Sequence, residues 1–219
     1  MPKEYICIHL IYLWFYFLQS SVAHPKGKIM DTGARFEAIQ QAKEYLERKP
    51  VYLDTETTGI GPNAEIIEIC IVDHDGAILL DALVKPRGKI EPGARNVHGI
   101  SDSMLSDAPG WQELWPQVDE ALRGRHAGIY NQDFDLRMMR QSHQRNGMQW
   151  RQPSDTFFCI MKLYARFHGQ WNPKRRSYRW QSLDNARLQC HLDIPNSHRA
   201  KDDTLLARQV LLHMAAAGG

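Results

Sequence analysis

Residues 51–61 read VYLDTETTGIG, an apolar run that ends in two carboxylates, Asp54 and Glu56, one residue apart. Positions i and i+2 of a strand share a face, so the spacing predicts two negative charges side by side. Like charges repel, and a bare carboxylate is costly to bury unless its pKa shifts until it neutralises. The pair therefore asks for a positive charge between its members.

Two further acids and a histidine fall where they could join this pair. Asp135 lies in NQDFD, just past a fourth strand-like run, and Asp203 lies in SHRAKDDT, at the start of the last helical run. Strands with adjacent ends would bring all four acids into one cleft, where only divalent cations make their repulsion tolerable. Hard oxygen ligands with open positions for phosphate and water suit Mg2+ or Mn2+. Two such ions about 3.5–4 Å apart form the clamp used for in-line displacement at phosphorus. His198, five residues before Asp203, would point about 140° away on a shared helix. It belongs instead on the loop before the helix. There an imidazole with an unperturbed pKa near 6.5 can swing over the cleft and take a proton from an attacking water.

The elements that must position these groups are legible in outline. ARFEAIQQAKEYLER (34–48) has a helical rhythm with Phe36, Ile39, Ala42 and Leu46 as its apolar face, closed by Pro50. VYLDTE, EIIEICIVD (65–73) and AILLDALVK (77–85) read as strands, the last two joined by the hairpin signal HDG. Turn chemistry alone explains Asp73 and Asp75. PGWQELWPQVDEALRGR reads as a helix interrupted at Pro116, HAGIYN (126–131) as a buried strand, and 134–145 as a helix stopped by Asn146-Gly147. DTFFCI is a fifth strand, MKLYARF a helix, and two more helices are expected near 181–189 and 200–214. Early strands joined by a tight turn give an antiparallel meander, and later strands separated by helices run parallel to the first. The fold class is α/β: a mixed five-stranded sheet flanked by helices, with its site at the strand ends.

Composition sets the background. The chain has 219 residues, 43% hydrophobic and 24% charged, and fits one domain with an appendage. Its formal net charge of +2 is carried entirely by Lys3, Lys26 and Lys28 against Glu4. Attraction to nucleic acid must therefore come from local patches. The four cysteines, at 7, 70, 159 and 190, show no zinc spacing. They read as free thiols in a reducing, cytoplasmic setting. Residues 1–30 form an apolar extension whose run ICIHLIYLWFYFL (6–18) falls short of the roughly 20 residues needed to span a bilayer. Translation from Met30 is the preferred reading. A signal peptide cleaved near SSVAH and a membrane-surface anchor are the alternatives, and membrane association is not expected.

DTETTG, VHGIS, NQDFD and HRAKDD, in this order, resemble the DEDD exonuclease superfamily in its histidine variant. Within it the likeness is to DNA polymerase III epsilon proofreading subunits and exonuclease X-type proteins, over about residues 50–214. The resemblance implies a ribonuclease H-like fold, an exonuclease domain over 50–219 behind a helix at 31–49, and 3′→5′ removal of nucleotides with two divalent metals. It assigns metal ligation to Asp54, Glu56, Asp135 and Asp203, and the general base to His198. Asp135 is chosen over Asp133 because the family's acid directly follows the aromatic residue. Asp203 is chosen over Asp202 by its spacing from His198. One departure stands out: where the family often carries a Glu five residues before the HGI histidine, this chain has Gly93, with Glu91 two residues earlier.

The resemblance also places Thr57 and His98 beside the terminal nucleotide. The plain structural account makes HGIS a loop leading to a helix N-terminus. From Thr156 to Leu183 there is no acidic residue, and WNPKRRSYRW (171–180) reads as an exposed loop. Its Lys174, Arg175 and Arg176, with neighbouring rings, suit phosphates and stacked bases of a single strand. Phe157, Phe158, Tyr164 and Phe167 read as core. Each acid alone has a bland explanation, as a solvated strand-end residue or a helix N-terminal carboxylate; together they require four coincidences. The expected function is a metal-dependent 3′→5′ exonuclease on single-stranded DNA ends, releasing nucleoside 5′-monophosphates. The alternatives are an exoribonuclease of the ribonuclease T or oligoribonuclease kind, and an inactive nucleic-acid-binding module. A polymerase is the candidate protein partner.

Overall fold

The strand that carries Asp54 and Glu56 is central to the sheet. The computed structural model of the chain describes residues 32–195 and 197–218, so the apolar run 6–18 and the readings attached to it lie outside the described residues. Helix α1 (Thr32–Glu47) leads into β1 (Val51–Thr57), β2 (Ile66–Val72) and β3 (Ile78–Leu83). After these come α2 (Pro92–His98), a 3-10 turn (Asp102–Leu105), α3 (Trp111–Leu122), β4 (His126–Ile129), α4 (Gln132–Arg145), β5 (Thr156–Cys159) and α5 (Ile160–His168). The chain closes with a small hairpin, β6 (Trp171–Asn172) and β7 (Ser177–Tyr178), then α6 (Leu183–Gln189) and α7 (Ala200–Ala216).

The five-stranded sheet has the order β3-β2-β1-β4-β5. β1, β2 and β3 pair antiparallel, while β4 runs parallel to β1 and β5 parallel to β4. This is the mixed sheet that the alternation of tight turn and helical crossover requires. At the β2–β3 turn the Asp73 N–H donates to the Ala77 carbonyl at 2.7 Å.

Both faces of the sheet are covered, which is why β2 is apolar on both sides apart from one acid. On one face Tyr52 and Cys70 pack with Ala38, Ile39 and Ala42 of α1, Tyr164 and Phe167 of α5, and Val210, Leu211 and Met214 of α7. On the other, Leu53, Ile69 and Ile71 meet Trp111, Leu114, Val118 and Leu122 of α3 and Met138 and Met139 of α4. β4 is short and contains Gly128, where a Cβ would stand 2.6 Å from Phe158 Cζ, so the strand admits the Phe158 ring only because it lacks one.

Four local expectations are corrected. Pro116 does not interrupt its helix: it lies inside α3 on the solvent face, where water can satisfy the Gln112 carbonyl, and Trp111, Leu114, Val118 and Leu122 anchor the buried face. Phe36 is exposed, because it lies roughly 160° around α1 from Ala38 and the buried face is built on Ala38, Ile39 and Ala42. The HGIS segment leads into the 3-10 turn at Asp102–Leu105 with Ser101 as its N-cap, but it is not wholly a loop. His98 ends α2, and Gly99, at φ 70°, caps it in the left-handed region that favours glycine. The segment 171–180 is a hairpin and not an open loop, with the Asn172 Oδ1 accepting from the Lys174 and Arg175 N–H groups at 3.1 and 3.3 Å. Among the described residues no helix is long and apolar enough to cross a membrane.

Candidate active site

Towards its C-terminal end β1 has Asp54 paired to Cys70 and Glu56 paired to Glu68 on β2, so all four side chains share the face covered by α7. The first turn of α7 carries Asp203, which is 7% exposed. Carboxylate oxygens of Asp54, Glu56 and Asp203 all lie within 4.8 Å of one another. Asp135, on the first turn of α4 and 3% exposed, stands outside this trio but close enough to be the largest charge acting on Asp54. It is held by Thr55, whose Oγ1 donates to Asp135 Oδ1 at 2.7 Å.

The electrostatics follow from this crowding. Burial comes first and neighbouring acids second in pushing Asp54 and Glu56 well above the usual carboxylate range. Burial lifts Asp135 to about 7 against the Thr55 hydrogen bond, backbone N–H groups and Arg137, which all pull it down. Burial, Asp202, Glu68 and Asp184 lift Asp203 to about 7, opposed by the His198 backbone N–H. Burial and mutual repulsion oppose the ionisation of all four groups together, and a cation would relieve both. Oxygen donors converging in this way are the ligand set that a hard divalent ion takes.

The adjacent acids differ in burial and partners. Asp133 is exposed and bonded to Lys162 at 2.6 Å, whereas Asp135 is buried at the cluster. Asp202 accepts from Ser197 Oγ at 2.5 Å, at the surface. His198 is half-buried on the loop just before α7, with φ 53°. His98 is buried, its Nδ1 accepting from the Ile100 N–H at 2.9 Å. Its Nε2 is buried without a hydrogen-bond partner among the described residues. Burial lowers its pKa against the pull of the Thr57 backbone and Glu68. The Thr57 hydroxyl turns inward, donating to the Gly59 carbonyl at 2.7 Å. Lys174, Arg175 and Arg176 are exposed on the β6–β7 hairpin. Glu91 packs its carboxyl onto Gly59, and Gly93 has open space around it.

One residue of the site escapes a reading of motifs. Glu68 is buried beside the trio and binds Arg199 and the Ala200 N–H. A charge inside the otherwise apolar strand IIEICIV was the available signal.

The exonuclease family model matches residues 51–211, which includes every acid of the cluster and His198. The chain belongs to the exonuclease family. It is 34% identical over 189 residues to the uncharacterized exonuclease CP81 of Escherichia phage 186, covering 82% of this chain and 94% of that protein. It is 31% identical over 183 residues to the DNA polymerase III subunit epsilon of Escherichia coli strain K12, covering 78% of this chain and 72% of the subunit. The structure of exonuclease X in complex with 5′ overhanging duplex DNA superposes with a TM-score of 0.57 at 25% identity, covering 77% of this chain and 93% of that one. The sheet and its flanking helices are thus ribonuclease H-like, and the enzyme is a 3′→5′ exonuclease.

Proposed function

We propose that residues 50–219 of the exonuclease form a catalytic domain that removes nucleotides from single-stranded DNA 3′ ends as nucleoside 5′-monophosphates. Asp54, Glu56, Asp135 and Asp203 would hold two divalent cations, Mg2+ or Mn2+. The observation that carries this reading is the convergence of Asp54, Glu56 and Asp203 oxygens within 4.8 Å, Asp203 buried and the other two partly so, where crowding and burial oppose ionisation. Bound there, the cations would supply Lewis-acid stabilisation of charge on the scissile phosphate. His198 takes the proton of the attacking water. Asp135, fixed by Thr55, completes the negative wall of the cleft. Thr57 and His98 flank the terminal nucleotide, and Lys174, Arg175 and Arg176 contact the strand upstream.

Support for DNA comes from the relatives: the epsilon subunit belongs to a DNA polymerase, and exonuclease X was solved with duplex DNA. The likeness to the epsilon subunit also supports a polymerase partner. The free thiols of Cys70, Cys159 and Cys190 suit a reducing cytoplasm.

The test uses 5′-labelled single-stranded DNA and RNA of matching sequence, with Mg2+ and with EDTA. Stepwise shortening from the 3′ end, faster on DNA and abolished by EDTA, is expected. Cleavage at an equal rate in EDTA defeats the mechanism, and faster loss of RNA transfers the substrate to the ribonuclease alternative. Binding without shortening would make the chain an inactive binding module.

A further inference from the structure

We propose that Glu68 is a positioning residue for His198, acting through Arg199 and the Ala200 N–H; the inference rests on His198 being the general base. Glu68 lies on β2 directly opposite Glu56 and is 3% exposed, yet it is not one of the three acids whose oxygens converge. Its carboxylate accepts from Arg199 Nε at 3.0 Å through Oε1 and at 3.1 Å through Oε2, and from Arg199 Nη2 at 2.5 Å. It also accepts from the Ala200 N–H at 2.9 Å. Both residues that follow His198 are thus tied to one buried carboxylate on the neighbouring strand.

His198 itself stands at φ 53°, a backbone region that side-chain-bearing residues enter rarely. Such a conformation persists only where its surroundings over-determine it, and the Arg199–Ala200 tether is that restraint on the C-terminal side. The tether also fixes where α7 begins. The Asp203 N–H donates to the Arg199 carbonyl at 3.1 Å, and Thr204 Oγ1 donates to the Ala200 carbonyl at 2.6 Å.

Electrostatics alone argue against an acid at position 68, because its charge raises the pKa values of Asp54, Glu56 and Asp203. What an acid offers there is geometry. A carboxylate can take the planar guanidinium fork and a backbone N–H together, fixing the direction of the chain as well as its distance.

The test is a double-mutant cycle on steady-state cleavage of 5′-labelled single-stranded DNA. Glu68→Gln and Arg199→Lys should each lower kcat by about 10- to 100-fold, with KM within about twofold, because misplacing a base slows chemistry and leaves binding intact. In a His198→Ala background the same substitutions should change kcat by less than about twofold, since the group they position is gone. An equal fall in both backgrounds overturns the proposal and sends the effect through Asp203 or the fold. Wild-type kcat in both variants overturns it as well. If His198→Ala alone leaves kcat unchanged, the assignment of the base fails first and takes the proposal with it. Arg199→Lys keeps the charge and completes the cycle if Glu68→Gln does not fold, as judged by circular dichroism.

Discussion

Thr55 Oγ1 and Asp135 Oδ1 are 2.7 Å apart, a hydrogen bond that joins the middle of β1 to the first turn of α4 across 80 residues of sequence. Thr55 points away from the face that carries Asp54 and Glu56, so a single strand supplies acids on one side and, on the other, the donor that aims a third acid toward them. Replacing Thr55 by Val keeps the shape and removes the donor. A hydrogen bond to the ionised form lowers a carboxyl's pKa, so its loss moves Asp135 further up. Thr55→Val is expected to cost about 1–3 kcal/mol in urea unfolding at pH 8, as for a lost buried bond to a charged group. Cleavage should then need a severalfold higher concentration of divalent cation. An unchanged cation dependence would show that Asp135 is not held in place by this bond.

The raised pKa values make a prediction about pH, and its sign is fixed. Asp135 and Asp203 titrate near 7 in the folded protein against an ordinary 3.8. The folded state therefore keeps protons that the unfolded chain has lost. This contribution stabilises the protein below the unfolded pKa and disappears as pH rises through about 7. Buried His98 and His143, with lowered pKa values, act oppositely and penalise the fold as pH falls below 6.5. Overall stability mixes the two effects, so the informative quantity is the Tm gained on adding Mg2+ over that in EDTA. This gain should widen from about pH 5.5 to about pH 8, as the carboxyls become free of protons to bind the ion. A gain that does not vary with pH would mean that the ion binds elsewhere.

Gly128 tests the packing that supports the site. It pairs with Phe158 across β4 and β5, and an added Cβ would meet the Phe158 ring at 2.6 and 2.9 Å. That ring is stacked on Tyr45 of α1 at 3.9 Å and cannot retreat freely. Gly128→Ala is expected to lower stability by about 1–3 kcal/mol, the usual cost of overpacking. KM should be unchanged at temperatures where the variant is folded. Denaturant midpoints and steady-state rates on the same preparation check both halves.

The sequence displayed the parts of the site that depend on local periodicity. Asp54 and Glu56 share a face because strand side chains alternate, and His198 had to leave the helix because its offset from Asp203 is wrong for one. What stayed hidden depends on register and long-range packing. Glu68 joins the site only because β2 pairs with β1 so that residue 68 meets residue 56, and no local pattern sets that register. Phe36 was misplaced for a related reason. The helical rhythm of α1 admits more than one apolar stripe, and contacts with α5 and α7 select Ala38, Ile39 and Ala42. The hairpin at 171–180 was masked by Asn-Pro, which signals a turn but not the two strands that flank it.

That hairpin carries the last prediction. Lys174, Arg175 and Arg176 are exposed between β6 and β7, flanked by exposed Trp171 and Trp180, and the stem is tied toward the sheet by Tyr130, whose hydroxyl donates to the Gln181 carbonyl at 3.0 Å. If the three cations sit on phosphates upstream of the 3′ end, each releases counterions when DNA binds. The dependence of log KM on log salt should then fall by about 2 when all three become Ala, at about 0.7 per contact on a single strand. kcat should hold, because none of the three belongs to the acid cluster. A dinucleotide substrate, too short to reach the hairpin, should give the same salt dependence with both proteins. Parallel salt plots on a long single strand would remove the hairpin from the substrate path.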